Sequence, residues 1–147
     1  MEISNKKATY DYFIEETYEA GIALKGTEIK SIRKGSANLQ DSYAVIKKDE
    51  IFLLNMYVAH YAEGNQFNHE ERRTRKLLLH SNEILKISNK INAEGYTLVP
   101  LKLYFKRNKV KILLGIAKGK KTFDKRETIK KRDLEREARK EAKYSFR

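Results

Sequence analysis

Residues 96–117, YTLVPLKLYFKRNKVKILLGIA, carry two apolar runs, YTLVPLKLYF and KVKILLGIA, that flank a polar break at KRN. Runs of this length, rich in aromatic and β-branched residues and separated by a few polar ones, are the pattern of a β-hairpin. The single proline of the chain, Pro100, falls inside the first run. It would remove a ladder donor, so the expected place for it is a strand edge or a bulge. Working back from this hairpin, SNEILKISNKINAEG reads as a helix that opens at Ser81 and stops at Gly95. Ile84, Ile87 or Ser88, and Ile91 recur at helical spacing. TRKLLLH before it is a strand candidate, preceded by a polar loop around AEGNQFNHEERR. DSYAVIKKDEIFLLNMYVAHY holds two apolar runs split by KKDE, a second hairpin. In GTEIKSIRKG, Thr27 is placed to cap a short helix, Ile29 and Ile32 share a face, and Gly35 suits the left-handed position after its end. Tyr10 to Leu24, with Phe13, Tyr18 and Ile22, reads as one long strand in which Gly21 marks a bend or bulge.

The pattern is therefore mainly β, with five or six short strands and two inserted helices. It suits a small antiparallel barrel, closed or nearly so, of which the OB-fold is the nucleic-acid-binding example. A chain of 147 residues can bury one core of this kind. The expected organisation is a barrel over residues 1–123 and a basic extension over 124–147.

Charge points the same way. The chain has 32 Lys and Arg against 20 Asp and Glu, a formal net charge of +12. An excess of that size implies an anionic partner. A membrane surface would be met by a basic amphipathic helix with a large apolar face, and neither that helix nor any Trp is present in the sequence. No run of about 18 apolar residues occurs, and MEISNKKATYDYF lacks the apolar stretch of a signal peptide, so the expected location is the cytoplasm. The charge is also concentrated. Residues 118–147 hold 13 Lys and Arg against 6 Asp and Glu, leaving +5 for the preceding 117 residues.

From Asp124 the sequence contains good helix formers and no Gly or Pro, with Glu127/Lys131 and Glu135/Arg139 at the favourable i,i+4 spacing. Its apolar stripe is limited to Leu134, Ala138, Ala142 and Phe146. A helix with so little to bury is marginal in water, so this segment is expected to be disordered or loosely helical alone and ordered on an anionic partner. A solvated terminus that only aids solubility is the bland alternative, and the one-signed excess running on from KGKK favours a nucleic-acid contact. A second cluster, ERRTRKLLLH, would place Arg73 and Arg75 on one face of a strand, about 6.6 to 6.8 Å apart. That arrangement fits either successive phosphates or a hydrophobic strand guarded by edge charges.

Catalytic chemistry finds little support. With no cysteine, disulfides, thiol catalysis and Cys-based zinc sites are excluded. His60, His69 and His80 have no metal-ligand spacing and read as surface or capping residues. The adjacent pairs Glu15/Glu16 and Glu70/Glu71 would point to opposite faces of a strand, so neither makes an acid–base dyad. KGKKTFD lacks the spacing of a phosphate-binding P-loop. Tyr12, Tyr18, Tyr43, Tyr57 and Tyr104 read mainly as core or rim residues. No enzyme, cofactor or metal is expected.

Four segments in series, YEAGIALKGTEIKSIRKGSANLQDSYA, RTRKLLLH, INAEGYTLVPLKLYFKRNKVKILLGIAKGKKTFDKR and IKKRD, resemble the SmpB (SsrA-binding protein, tmRNA-binding protein) family. The resemblance covers nearly the whole chain. It implies an OB-like barrel that binds the tRNA-like domain of tmRNA, one protein per tmRNA, and stands in for its missing anticodon arm. Protein and RNA together would enter a stalled ribosome for rescue by trans-translation, with the C-terminal tail probing the empty mRNA channel beside the small-subunit decoding centre. Carried over residue by residue, the RNA-binding face would comprise Glu19, Glu28, Lys30, Arg33, Arg73, Arg75, Lys76, Leu78 and His80, extended by Lys118, Lys120 and Lys121. Glu19 would act as an acceptor for base or sugar donors or as an orienter of a cation, since a carboxylate cannot clamp phosphate. The decoding role of the tail would map to Asp124, Lys125, Arg126, Ile129, Lys130 and Arg132. The rival reading from the residues alone is a general OB-type RNA-binding protein or ribosome-associated translation factor.

Overall fold

The computed structural model describes residues 2–62 and 68–120. In chain order these form β1 (Glu2–Ser4), α1 (Lys6–Asp11), β2 (Tyr12–Ile22), α2 (Gly26–Arg33), β3 (Ala37–Asn38), β4 (Tyr43–Lys47), β5 (Glu50–Leu54), β6 (Tyr57–Val58), β7 (Arg75–Leu78), α3 (Ser81–Glu94), β8 (Thr97–Lys106) and β9 (Lys109–Gly119). Seven strands make one antiparallel sheet in the order β1-β8-β9-β2-β7-β5-β4, and β3 pairs with β6 in a small separate ribbon. The sheet curls until β4 lies against β8, which closes the barrel by packing.

The hairpin read at residues 96–117 is the spine of this barrel. Val110, Ile112, Leu114 and Ile116 alternate inward from β9 and meet Leu98 and Leu103 of β8. Ala20 and Ile22 of β2, Ile51 and Leu53 of β5, Val58 of β6, Leu77 of β7, Ile32 and Ile87 from the helices, and Leu39 and Met56 complete the core. Two-residue turns with positive φ at both positions join β8 to β9 (Arg107, 53°; Asn108, 64°) and β4 to β5 (Lys48, 51°; Asp49, 61°). This mirror-image turn matches the right-handed twist of paired strands. The register shifts between Pro100 and Lys102 in β8 and between Ile14 and Glu16 in β2, so the proline does sit at a bulge. Both irregularities close on Gly115 of β9. A Cβ there would stand 3.0 Å from Leu101 Cδ1 and 3.1 Å from Ile14 Cγ2, which explains a glycine in the middle of an otherwise apolar strand.

Two expectations need correction. The strand expected from Tyr10 starts at Tyr12, because α1 takes Lys6–Asp11 and buries Ala8 against Val99 and Ala117. Local β preference in TYDYF yields there to a tertiary contact. The residue flanking α2 is Lys25, whose backbone N–H donates to the Glu28 carboxylate at 2.8 Å, while Thr27 is engaged elsewhere. α3 opens at Ser81 as expected, and the N–H of the preceding His80 donates to the Glu83 carboxylate at 3.2 Å. Gly35 (φ 75°) and Gly95 (φ 70°) do take the left-handed positions that end the two helices.

Candidate nucleic-acid interface

A groove opens at the end of the barrel where β8 turns into β9. Leu78, Leu79 and His80 line one wall, Asn108 to Lys111 the other, and Gly21, Ile22, Leu24 and Ile29 the floor. The alternation of β7 places Leu77 in the core and Leu78 outside, where it is 51% exposed. Gly21 pairs with Leu78, and a Cβ at Gly21 would stand 3.3 Å from Leu78 Cβ, so the small residue lets the strands meet without filling the groove.

Glu19 lies beside this groove on the outer surface of β2. Tyr104 Oη donates to its carboxylate at 2.5 Å, and Lys106 Nζ stands 3.3 Å away. The Tyr104 hydrogen bond is the main reason its carboxyl titrates below the ordinary range, with Lys106 adding to the effect. Burial, followed by the Glu19 charge, pushes the Tyr104 hydroxyl up to about 12. Lys111 pairs with both Gly21 and Tyr104 in the sheet register. Arg33 of α2 lays its guanidinium 5.0 Å from the centre of the Phe105 ring. Glu19, Arg33, Leu78 and His80 therefore gather around one end of the barrel. Tyr104, Lys106, Asn108, Lys109 and Lys111 join them there and were missed by the sequence reading. The available signal was the KVK alternation, which puts Val110 inward and the lysines outward.

Glu28, Arg73 and Arg75 are arranged otherwise. Glu28 and Arg75 are fully buried and meet at 2.5 Å, and Arg73 reaches the second Glu28 oxygen at 2.5 Å. Arg75 also donates to the carbonyls of Met56 (2.7 Å), Arg73 (3.0 Å) and Glu71 (3.3 Å). Burial works against the Glu28 charge, yet hydrogen bonds from Arg73, the Lys25 backbone and Arg75 outweigh it and hold the carboxyl low. Burial likewise opposes the charge on Arg75 and lowers its guanidinium below the ordinary value, with Glu28 offsetting part of this. The expected pair of phosphate-spaced arginines is thus not formed. Arg75 points inward, Arg73 keeps 26% of its side chain exposed, and together they clamp α2 onto β7 through Glu28.

His69, expected at the surface, is buried. Its Nε2 lies 2.9 Å from the Val58 carbonyl, which can only accept, so Nε2 carries a proton; Nδ1 lies 2.9 Å from the Thr27 hydroxyl. Lys76 is exposed and paired with Glu50 at 3.0 Å. Lys118 and Lys120 are remote from the groove. They stand over the rings of Tyr96 (4.5 Å) and Phe13 (4.8 Å) at the other end of β9. Seven residues of strand, about 23 Å, separate Lys118 from Lys111. Lys121 and the tail positions Asp124, Lys125, Arg126, Ile129, Lys130 and Arg132 lie outside the described residues, as does the expected order or disorder of that segment. Among the described residues no group of His, Asp and Glu is arranged to hold a metal ion, and no helix is long and apolar enough to cross a membrane.

A family model described as "SmpB protein" matches residues 2–144. The chain belongs to the SmpB family. It is similar to the SsrA-binding protein of Geobacillus sp. (strain WCH70), with 60% identity over 133 residues that cover 90% of this chain and 86% of that one. It is also 56% identical to the SsrA-binding protein of Caldicellulosiruptor saccharolyticus over 144 residues, 98% of this chain and 91% of that one. A solved SmpB-family structure described as "tmRNA-SmpB: a journey to the center of the bacterial ribosome" superimposes with a TM-score of 0.68 at 49% identity, covering 82% of this chain and 85% of that chain. The mainly antiparallel barrel with inserted helices is thus the SmpB fold.

Proposed function

We propose that this chain binds tmRNA at its tRNA-like domain and delivers it to stalled ribosomes for trans-translation in the cytoplasm, with no chemical step of its own. The observation that carries the reading is the groove between β7 and the β8–β9 turn. Its lining combines an exposed leucine, a histidine and two lysines, with the oriented Glu19 carboxylate and Tyr104 beside it, on a chain 56–60% identical to SsrA-binding proteins. Lysines and Arg33 supply attraction to phosphate, which is independent of sequence. Glu19 and His80 supply an acceptor and a donor for base and sugar groups, and Leu78 supplies an apolar contact for an unstacked base. Glu28 and Arg75 serve this face from beneath, by fixing α2 and β7, while Arg73 adds its partly exposed guanidinium.

The barrel, residues 1–123, grips the RNA in this reading, and residues 124–147 carry the ribosomal role, with Asp124, Lys125, Arg126, Ile129, Lys130 and Arg132 reading the vacant mRNA path. Recovery of bound RNA from cells tests the assignment. tmRNA should be enriched far above tRNA and ribosomal RNA fragments; equal recovery of all three would replace it with a general RNA-binding factor.

A further inference from the structure

α2 presents two rows of side chains to two different surroundings. Ile29 lines the groove and Arg33, one turn on, lies over Phe105 of β8. Lys30 and Lys34, also one turn apart, bring their ammonium groups to 5.3 and 4.8 Å from the centre of the Tyr61 ring, beyond β6. We propose that Lys34 and Tyr61 join Lys30, which the family resemblance assigns to the RNA-binding face but the structure sets apart from the groove, in a second RNA contact that takes two phosphates of an RNA backbone without reading its bases.

Tyr61 is seated firmly. The Asn68 side chain accepts from the Tyr61 N–H at 3.0 Å and donates to the Tyr61 carbonyl at 2.5 Å. His69, the next residue, is tied to Thr27 in the first turn of α2, and its ring meets that of His60 edge-on at 5.7 Å. Ala59 N–H donates to Ser36 just after α2 at 2.9 Å. The backbone that carries the ring is therefore tied to α2 and the residues just after it.

The choice of partner for these lysines matters. Lys76, Lys90, Lys102 and Lys106 each stand within 3.5 Å of a glutamate, which cancels much of their field. Among the described residues no carboxylate stands within ion-pair distance of Lys30 or Lys34, and the nearby Glu28 is buried against Arg73 and Arg75. An aromatic face attracts an ammonium through its quadrupole and leaves the net charge intact. Tyr61 thus orders the two long side chains in advance and keeps both positive charges available, lowering the entropy cost of binding. Cations in a last helical turn also favour the helix dipole, which accounts for their position but not for the ring beneath them. The helix rise sets the two lysines about 6 Å apart along the axis, and lysine engages phosphate as a point charge with no need of fixed bond angles.

The proposal rests on the RNA-binding reading above, and its test separates the two. Binding of the full-length chain to tmRNA and to a generic RNA duplex is measured across salt concentration, with a thermal melt as the control for folding. The double variant Lys30→Ala, Lys34→Ala should lower the salt slope on the generic duplex by about 1.8, from two lost phosphate contacts. The ratio of tmRNA to duplex affinity should stay unchanged. Tyr61→Leu should weaken both RNAs without changing the slope, and Tyr61→Phe, which keeps the ring, should restore binding. An unchanged slope in the double variant, or equal behaviour of Tyr61→Leu and Tyr61→Phe, overturns the site. A slope change in the double variant together with a wild-type chain that shows no preference for tmRNA keeps this site and overturns the assigned function.

Discussion

Glu19 and Tyr104 titrate in opposite senses, the carboxyl lowered chiefly by their hydrogen bond and the phenol raised chiefly by burial, with the same hydrogen bond adding to it. The shared proton lies with the phenol, so the carboxylate is kept charged and the tyrosine kept neutral. A group whose folded pKa is raised contributes stability that is complete below its unfolded value and is lost as pH climbs through the folded one. For Tyr104 that window runs from 10.0 to about 12. Thermal melting temperature should therefore fall over this interval, and more gently in Tyr104→Phe, which has no proton to lose there. Identical alkaline profiles for the two proteins would mean that loss of the Tyr104 proton does not drive the alkaline loss of stability. The acidic side follows the opposite sign. Glu19 titrates low, so its contribution is present above its ordinary 4.5 and disappears as pH falls through the folded value.

Among the elements, α2 is held through a charge cluster as well as through Ile32. Removing one member of a buried ion pair typically costs about 3–5 kcal/mol, because the partner is left charged in the interior. Glu28→Gln should lower the unfolding free energy obtained from urea titration by an amount of that order, and Arg75→Met alone should do the same by stranding Glu28. Combining the two should cost less than the sum, since neither charge is then left behind; strict additivity would show that they do not act as a unit. This cluster also marks where the sequence stopped being legible. Both hairpins, α2, α3 and the proline bulge could be read locally, because alternation, helical spacing and turn residues are short-range signals. Glu28 and Arg75 are 47 positions apart and Thr27 and His69 are 42 apart, so nothing near Glu28, Arg75 or His69 announces that it is buried. The gathering of Glu19, Arg33, Leu78 and His80 came through family resemblance. The lysines of β9 were visible as an alternation whose outer face had no assigned use.

For the whole molecule, the barrel and the C-terminal segment are assigned different tasks, and the assignment can be divided experimentally. A chain ending at Asp124 should bind tmRNA almost as well as the full chain, because every groove residue precedes that point. The same chain should fail to support tagging of nascent peptides on stalled ribosomes. Joint loss of both activities would refute the division.

β9 gives this division a fixed scale. It is paired along nearly its whole length with β8 on one side and β2 on the other, so it can neither stretch nor slide without breaking two ladders at once. One end forms a wall of the groove, and the other ends at Lys120, whose N–H donates to Asp11 at 2.7 Å and whose ammonium donates to the Thr9 carbonyl at 3.0 Å. The strand is a gauge block. An RNA seated at its one end and the point of departure of the remaining chain at the other are separated by a set distance, which loop length and solvent conditions leave unchanged.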